Sequence, residues 1–229
     1  MKHLNLILII LILSCCPLHP VYAFLDKDIR LLTMRDGLAD NTIPCIYKDE
    51  DGFMWFGTDD GLSRYDGKTI QNFKPANTYV SIAAIVRLSD DFLGIVSDGY
   101  LYYFNRKQET FFPIHTESDT AIGVFNVLPA DNSSFWGISG NRLILCQWEI
   151  RQGKEEEKTA VRVRIQKTFQ LLEEKGEVFS SLCYHEKAGS GIWLTTNRGN
   201  LILFHPDTPE AYQKIPLTDG KPLQVTSIL

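Results

Sequence analysis

Asp49-Glu50-Asp51-Gly52-Phe53-Met54-Trp55-Phe56-Gly57-Thr58-Asp59-Asp60-Gly61-Leu62-Ser63-Arg64-Tyr65-Asp66-Gly67 reads as two short apolar segments, joined by one tight turn and closed by another. Asp and Asn bond their own backbone in such turns, and Gly tolerates positive φ. The arrangement recurs. Trp136-Gly137-Ile138-Ser139 and Trp193-Leu194-Thr195-Thr196 match Trp55-Phe56-Gly57-Thr58, and Gly94-Ile95-Val96-Ser97 is a degenerate copy without the Trp. Successive copies are 39, 42 and 57 residues apart, counted from Trp55 to Gly94, Trp136 and Trp193.

Each copy is followed by a small or polar turn and a second apolar segment: Leu62–Tyr65, Leu101–Phe104, Leu143–Cys146 and Leu201–Phe204. Upstream strands are expected at Thr42–Tyr47, Ile82–Leu88, Ile122–Leu128 and Val178–Tyr184. Outer strands are expected at Thr69–Phe73, Thr110–Pro113, Val161–Phe169 and Ala211–Ile215. The segments are short, aromatic and β-branched, and no long stretch repeats its apolar residues at helical spacing. Four strands in about 40 residues is the size of one propeller blade. The chain is therefore expected to be all-β, with four-stranded antiparallel blades at about 40–75, 80–114, 120–170 and 176–217. A further blade would begin at 222–229, so the array reads as the N-terminal part of a larger propeller. The longer third interval is assigned to Gln152–Lys158, a charged hairpin tip that lengthens two strands. A Trp recurring at one phase packs between blades, so Trp55, Trp136 and Trp193 are read as inter-blade core. Gly57 is read as a point of close approach.

The amino terminus stands apart. Met1-Lys2-His3 precedes an uncharged run, Leu4 to Leu13, about half the length of a membrane-spanning helix. Cys15, Cys16, Pro17, Pro20 and Val21-Tyr22-Ala23 follow, which makes residues 1–23 a secretory signal with cleavage after Ala23. Lipid attachment at Cys15 is the alternative. Residues 24–229 then form one β-propeller domain with no membrane span apart from the leader. Without Lys2, 22 basic side chains face 28 acidic ones, a balance of −6. That balance disfavours nucleic acid and anionic membrane surfaces as partners. Cys45, Cys146 and Cys183 lie far apart in apolar stretches, as small buried hydrophobes do and a disulfide framework does not.

Little in the linear pattern points to catalysis. Asp49-Glu50-Asp51-Gly52 lacks the ligand spacing of a calcium loop. His115, His185 and His205 lack zinc spacing, and Ser180, Ser181 and Ser190 lack a nucleophile-elbow setting. No cofactor or metal is expected. Loops that enter each blade's innermost strand face the channel mouth, so Arg35, Asp40 and Asn41 are the candidate ligand-binding residues.

Leu32-Thr33-Met34-Arg35-Asp36-Gly37-Leu38, Asn41-Thr42-Ile43 and the stretch from Asp49 to Gly67 together resemble the two-component regulator propeller repeat. This repeat is found in the periplasmic sensor region of hybrid two-component histidine kinases. The first copy matches strongly; the later three keep the rhythm and lose several motif letters, and the likeness runs from about Ile29 to the carboxyl end. The resemblance implies an exported, periplasmic ligand-sensing region, tethered to the inner membrane and homodimeric through a full-length receptor. Its ligand would be a glycan-derived oligosaccharide, its output transcription of utilisation genes, and any kinase activity would lie outside these residues. Two alternatives stay open: a secreted propeller enzyme (polysaccharide lyase or glycoside hydrolase) and a propeller scaffold for protein contacts.

Overall fold

A computed structural model describes residues 29–74, 80–151, 160–185 and 191–216. The leader, the Gln152–Lys158 tip and the strand expected at 222–229 lie outside the described residues. Four sheets follow one another along a unit that begins at Thr33. The first is β1 (Cys45–Lys48), β2 (Met54–Thr58), β3 (Gly61–Tyr65) and β4 (Ile70–Phe73). The second is β5 (Ile82–Arg87), β6 (Phe92–Ser97), β7 (Tyr100–Asn105) and β8 (Thr110–Pro113). After β9 (His115–Thr116) comes a third sheet of β10 (Val127–Pro129), β11 (Ser134–Ser139), β12 (Arg142–Arg151) and β13 (Ala160–Phe169). The fourth comprises β14 (Phe179–His185), β15 (Gly191–Thr196), β16 (Asn200–Phe204) and β17 (Gln213–Pro216). Within each, the four consecutive strands pair antiparallel in chain order. The first strands of successive sheets touch, β1 to β5, β5 to β10 and β10 to β14, so these strands are innermost. The sheets are propeller blades.

Register explains the recurring Trp. Trp55 stands opposite Tyr47 and Arg64, on the face of blade 1 that meets blade 2. Its ring packs against Phe73 of its own outer strand at 5.9 Å and edge-on against Phe104 of the next blade at 5.7 Å. Trp136 repeats the arrangement with Phe169 at 5.8 Å and with Phe204 of blade 4 at 5.9 Å. Each triad lies in a buried cluster that joins two consecutive blades. Truncating such a ring to Ala costs about 3–5 kcal/mol.

The interface between blades 2 and 3 is built differently, because both ring positions are small. Gly94 replaces the Trp, and Cys146 stands at the register of Phe104 and Phe204, opposite the residue before the Trp phase. A side chain at Gly94 would meet Val86 Cγ2 at 2.8 Å. Trp148, two residues beyond Cys146, fills the space instead, stacked on Phe135 at 5.6 Å. With Val161 and Val163 it gives the extended β12–β13 hairpin a buried apolar face. The extension is thus inter-blade core on one side, and its other side carries Glu149 opposite Arg162.

Two further features depart from the regular plan. β9 pairs in parallel with β13 at Arg162 and Val163, giving blade 3 a fifth strand from the segment that leaves blade 2. β10 is also shorter than the expected Ile122–Leu128, and the approach to it makes isolated bridges instead, Tyr100 to Gly123 and His115 to Ala121. Gly57 lies against Cys45 Sγ and Ile82, whose Cγ2 an added Cβ would approach to 2.7 Å. Among the described residues, three buried clusters join blades 1 to 2, 2 to 3 and 3 to 4, and none joins blade 4 to blade 1.

Candidate functional site

The segment that enters blade 1 is shaped by its own side chains. Thr33 caps a short 3-10 turn at Met34–Asp36, with Asp36 reaching back to the Thr33 N–H at 2.9 Å, and Gly37 ends the turn at φ 111°. Asn41 Oδ1 accepts from Met34 N–H at 2.9 Å, and Asp40 Oδ1 accepts from Thr42 N–H at 2.7 Å. Hydrogen bonds from Thr42, its N–H first and its side chain next, hold the Asp40 carboxyl below the usual carboxylate range. Ala39 N–H donates to Ser63 Oγ, and Asn72 donates to Gly37 O, so the segment crosses the face of blade 1 that points away from blade 2. Arg35 is exposed there, on the turn beside β4. The three candidates thus share one loop: Asp40 and Asn41 hold its shape, and the Arg35 guanidinium has no hydrogen bond or ion pair among the described residues.

At the opposite end of the blades, a cleft of about 450 Å³ opens between blades 1 and 2. Three hairpins supply it: Asp49-Glu50-Asp51 between β1 and β2, Ser89-Asp90-Asp91 between β5 and β6, and Arg106-Lys107 between β7 and β8. Asp49 is its fixed point, with a side chain only 3% exposed. Asp49 Oδ1 accepts from Phe53 N–H at 2.8 Å; Oδ2 accepts from Trp55 Nε1 at 2.7 Å and from the Arg106 guanidinium of blade 2 at 2.9 Å. Arg106 also bonds Asp51 at 2.6 Å and the Asp90 carbonyl at 2.7 Å. Arg87 is held chiefly by a 2.6 Å bond to Asp90, with Glu50 3.4 Å away, and both carboxylates raise its pKa. Arg64 lies over the rings of Phe53, Trp55 and Phe73 at 5.1–5.5 Å. Burial pushes the Tyr47 phenol up, against the pull of Arg87.

The buried side of this network clamps blade 1 to blade 2, and buried charges need such partners. The exposed side leaves carboxylates, guanidiniums and one phenol facing a space that fits a small polar ligand. Sequence reading missed the cleft, because its parts lie on three hairpins tens of residues apart. One signal was present: an Asp six residues before Trp55, absent before Trp136 (Ala130) and Trp193 (Lys187). Among the described residues, no group of three or more His, Cys, Asp or Glu side chains is placed to hold a metal ion, and no helix is long and apolar enough to cross a membrane.

Comparison with known proteins agrees with the architecture. Residues 37–60, from the entry loop through the first hairpin of blade 1, match the family model described as two component regulator propeller. Two structures of one extracellular domain from B. thetaiotaomicron are similar, one described as a one component system and the other as a hybrid two component system. They share 21% and 20% identity, with TM-scores of 0.58 and 0.53, and the match covers 82% and 77% of this chain. It covers only 24% and 22% of those chains, so this chain spans about a quarter of their length. The β-propeller domain of Cps50 (Swd1), described as from Myceliophteria thermophila, matches at 12% identity and a TM-score of 0.50, over 80% of this chain and 58% of that one. At these identities the likenesses carry the fold. No curated protein matches the sequence.

Proposed function

We propose that this chain is the amino-terminal, ligand-sensing propeller of an exported receptor of the two-component regulator kind. The observation that carries the reading is the repeat at residues 37–60, seated on the first of four successive blades. The ligand is a glycan-derived oligosaccharide. The apolar leader and its Ala23 site support export to the periplasm, and in the intact receptor the region is tethered to the inner membrane and paired as a homodimer. The chain itself performs no catalysis; histidine kinase activity belongs to other parts of the receptor. Binding shifts the receptor between two arrangements, which requires different affinities for the two.

Ligand contact is assigned to the entry loop with Arg35, Asp40 and Asn41. An exposed guanidinium with no ion pair among the described residues suits sugar hydroxyls or a carboxylate, because it presents several donors in a fixed fork. The cleft supports a second reading, in which its paired acids and guanidiniums receive the sugar. Isothermal titration calorimetry of the protein against an oligosaccharide panel tests the proposal. Saturable binding by at least one saccharide, weakened tenfold or more by Arg35→Ala, is the expected result. Saturable binding weakened instead by Glu50→Ala and Arg87→Ala would move the site to the cleft. No binding by any saccharide would overturn the sensing of glycans.

A further inference from the structure

The cleft between blades 1 and 2 holds more negative charge than its own cations match. Two guanidiniums line it from blade 2, and each is shared by two carboxylates. Arg87 bonds Asp90 at 2.6 Å and lies 3.4 Å from Glu50. Arg106 bonds Asp49 at 2.9 Å and Asp51 at 2.6 Å. Each trio therefore keeps one unbalanced negative charge. Lys107 meets Asp91 one to one at 2.9 Å, and Arg64 is engaged by Gln71 and Glu109, outside the lining. Glu50 and Asp51 are neighbours on the β1–β2 hairpin, 72% and 62% exposed, so the surplus gathers on one lip of the cleft.

Two neutral groups complete the polar lining. The Tyr47 phenol and the Ser89 hydroxyl both reach the cleft, and neither hydroxyl has a hydrogen bond among the described residues. Hydroxyls donate and accept, the free carboxylate oxygens accept, and the remaining Arg87 N–H groups donate. Such a surface matches a ligand rich in hydroxyls, which also do both. The volume of about 450 Å³ is that of a small-ligand site. Charge adds a selection, because Coulomb interactions beside a protein wall are stronger than in open water. A ligand anion would add to the surplus, and a ligand cation would neutralise it.

We propose that the cleft binds a small polyhydroxylated amine, an amino sugar with its ammonium free, and that Glu50 and Asp51 hold the ammonium. The inference rests on the reading that gives the cleft a sugar, and it is independent of the entry loop. Sugars bearing sulfate or carboxylate groups are turned away by the same two acids, since specificity comes from repulsion as well as from attraction.

Calorimetry of the full chain with two probes below neutral pH tests this: a glucosamine trisaccharide with free amines, and the same trisaccharide N-acetylated on every residue. The probes share a backbone and its hydroxyls and differ in charge. The free-amine probe should bind one to one, at least tenfold tighter than the acetylated one, and more weakly as salt rises. Glu50→Gln and Asp51→Asn together should abolish that preference; both acids are exposed, and urea unfolding checks that the double variant folds. Equal binding of both probes, weakened by Arg87→Ala, would leave a sugar in the cleft and overturn its selection for an ammonium. A preference that survives in the double variant would overturn the proposal by placing the amine elsewhere. Binding of neither probe, or binding that none of these substitutions alters, would remove the cleft from ligand recognition altogether.

Discussion

Replacing Asp49 with Ala removes the fixed point of the clamp between blades 1 and 2, and its cost can be worked from the geometry. Three bonds vanish, to Phe53 N–H, Trp55 Nε1 and the Arg106 guanidinium. Trp55 is fully buried, so its indole N–H is left without an acceptor, a penalty of about 1–3 kcal/mol. Arg106 keeps Asp51 and the Asp90 carbonyl, which places its share toward the low end of a charge-assisted bond, about 1.5 kcal/mol. The sum is about 3 kcal/mol, or about 6–12 °C in Tm for a domain of this size. Asp51→Ala removes an acid that is 62% exposed and should cost under about 1 kcal/mol. Trp55→Phe retains a ring and removes the donor, so in the Asp49→Ala background it should cost less than it does alone. Urea unfolding followed by circular dichroism measures the parent and the four variants. Asp49→Ala within about 0.5 kcal/mol of the parent, or strict additivity in the double variant, would refute the clamp.

Three other perturbations follow from the packing and the charges. Gly57→Ala should destabilise by about 1–3 kcal/mol, because its Cβ would press on Ile82 Cγ2 at 2.7 Å and on Ile82 O at 2.8 Å; chemical denaturation reads it. Burial raises the Cys45 and Cys146 thiols to about 12, so iodoacetamide should label neither in the folded protein near pH 8 and both in denaturant, as mass spectrometry of peptides would show. Burial alone would raise the Glu177 carboxyl, but hydrogen bonds from Asn200, Lys214 and Thr196 outweigh it and leave the pKa lowered from 4.5. Its contribution is therefore present above the ordinary glutamate range and lost as pH falls through the depressed folded value, so Glu177→Gln should flatten the acid side of the stability–pH curve. An unchanged acid limb would contradict that assignment.

Much of the architecture was legible because blades repeat locally. The outer strand expected at Thr110–Pro113 is β8, and those expected at Thr69–Phe73 and Val161–Phe169 each differ from β4 and β13 by one residue. Period-two patterning and turn chemistry fix such strands within one hairpin. What escaped the sequence depends on packing between hairpins. Trp148 is off the phase of the other three Trp residues, and it matters only because Gly94 and Cys146 leave a gap that it fills. β9 is two residues without any pattern of their own, ordered by the edge of β13. The entry loop was visible as turn chemistry, yet its course across the far face of blade 1 rests on Ser63 and Asn72, more than 20 residues on. The cleft was least visible, because no local signal brings Asp49, Asp90 and Arg106 together.

Hydrogen–deuterium exchange with and without a binding oligosaccharide tests the central claim most directly, since it reports where on the propeller the ligand acts. The account predicts ligand-dependent protection at residues 33–43, across the loop that carries Arg35, Asp40 and Asn41. Protection confined to the hairpins at 49–53, 88–91 and 105–109 would place the ligand in the cleft, and an unchanged exchange pattern throughout would contradict ligand sensing by these blades.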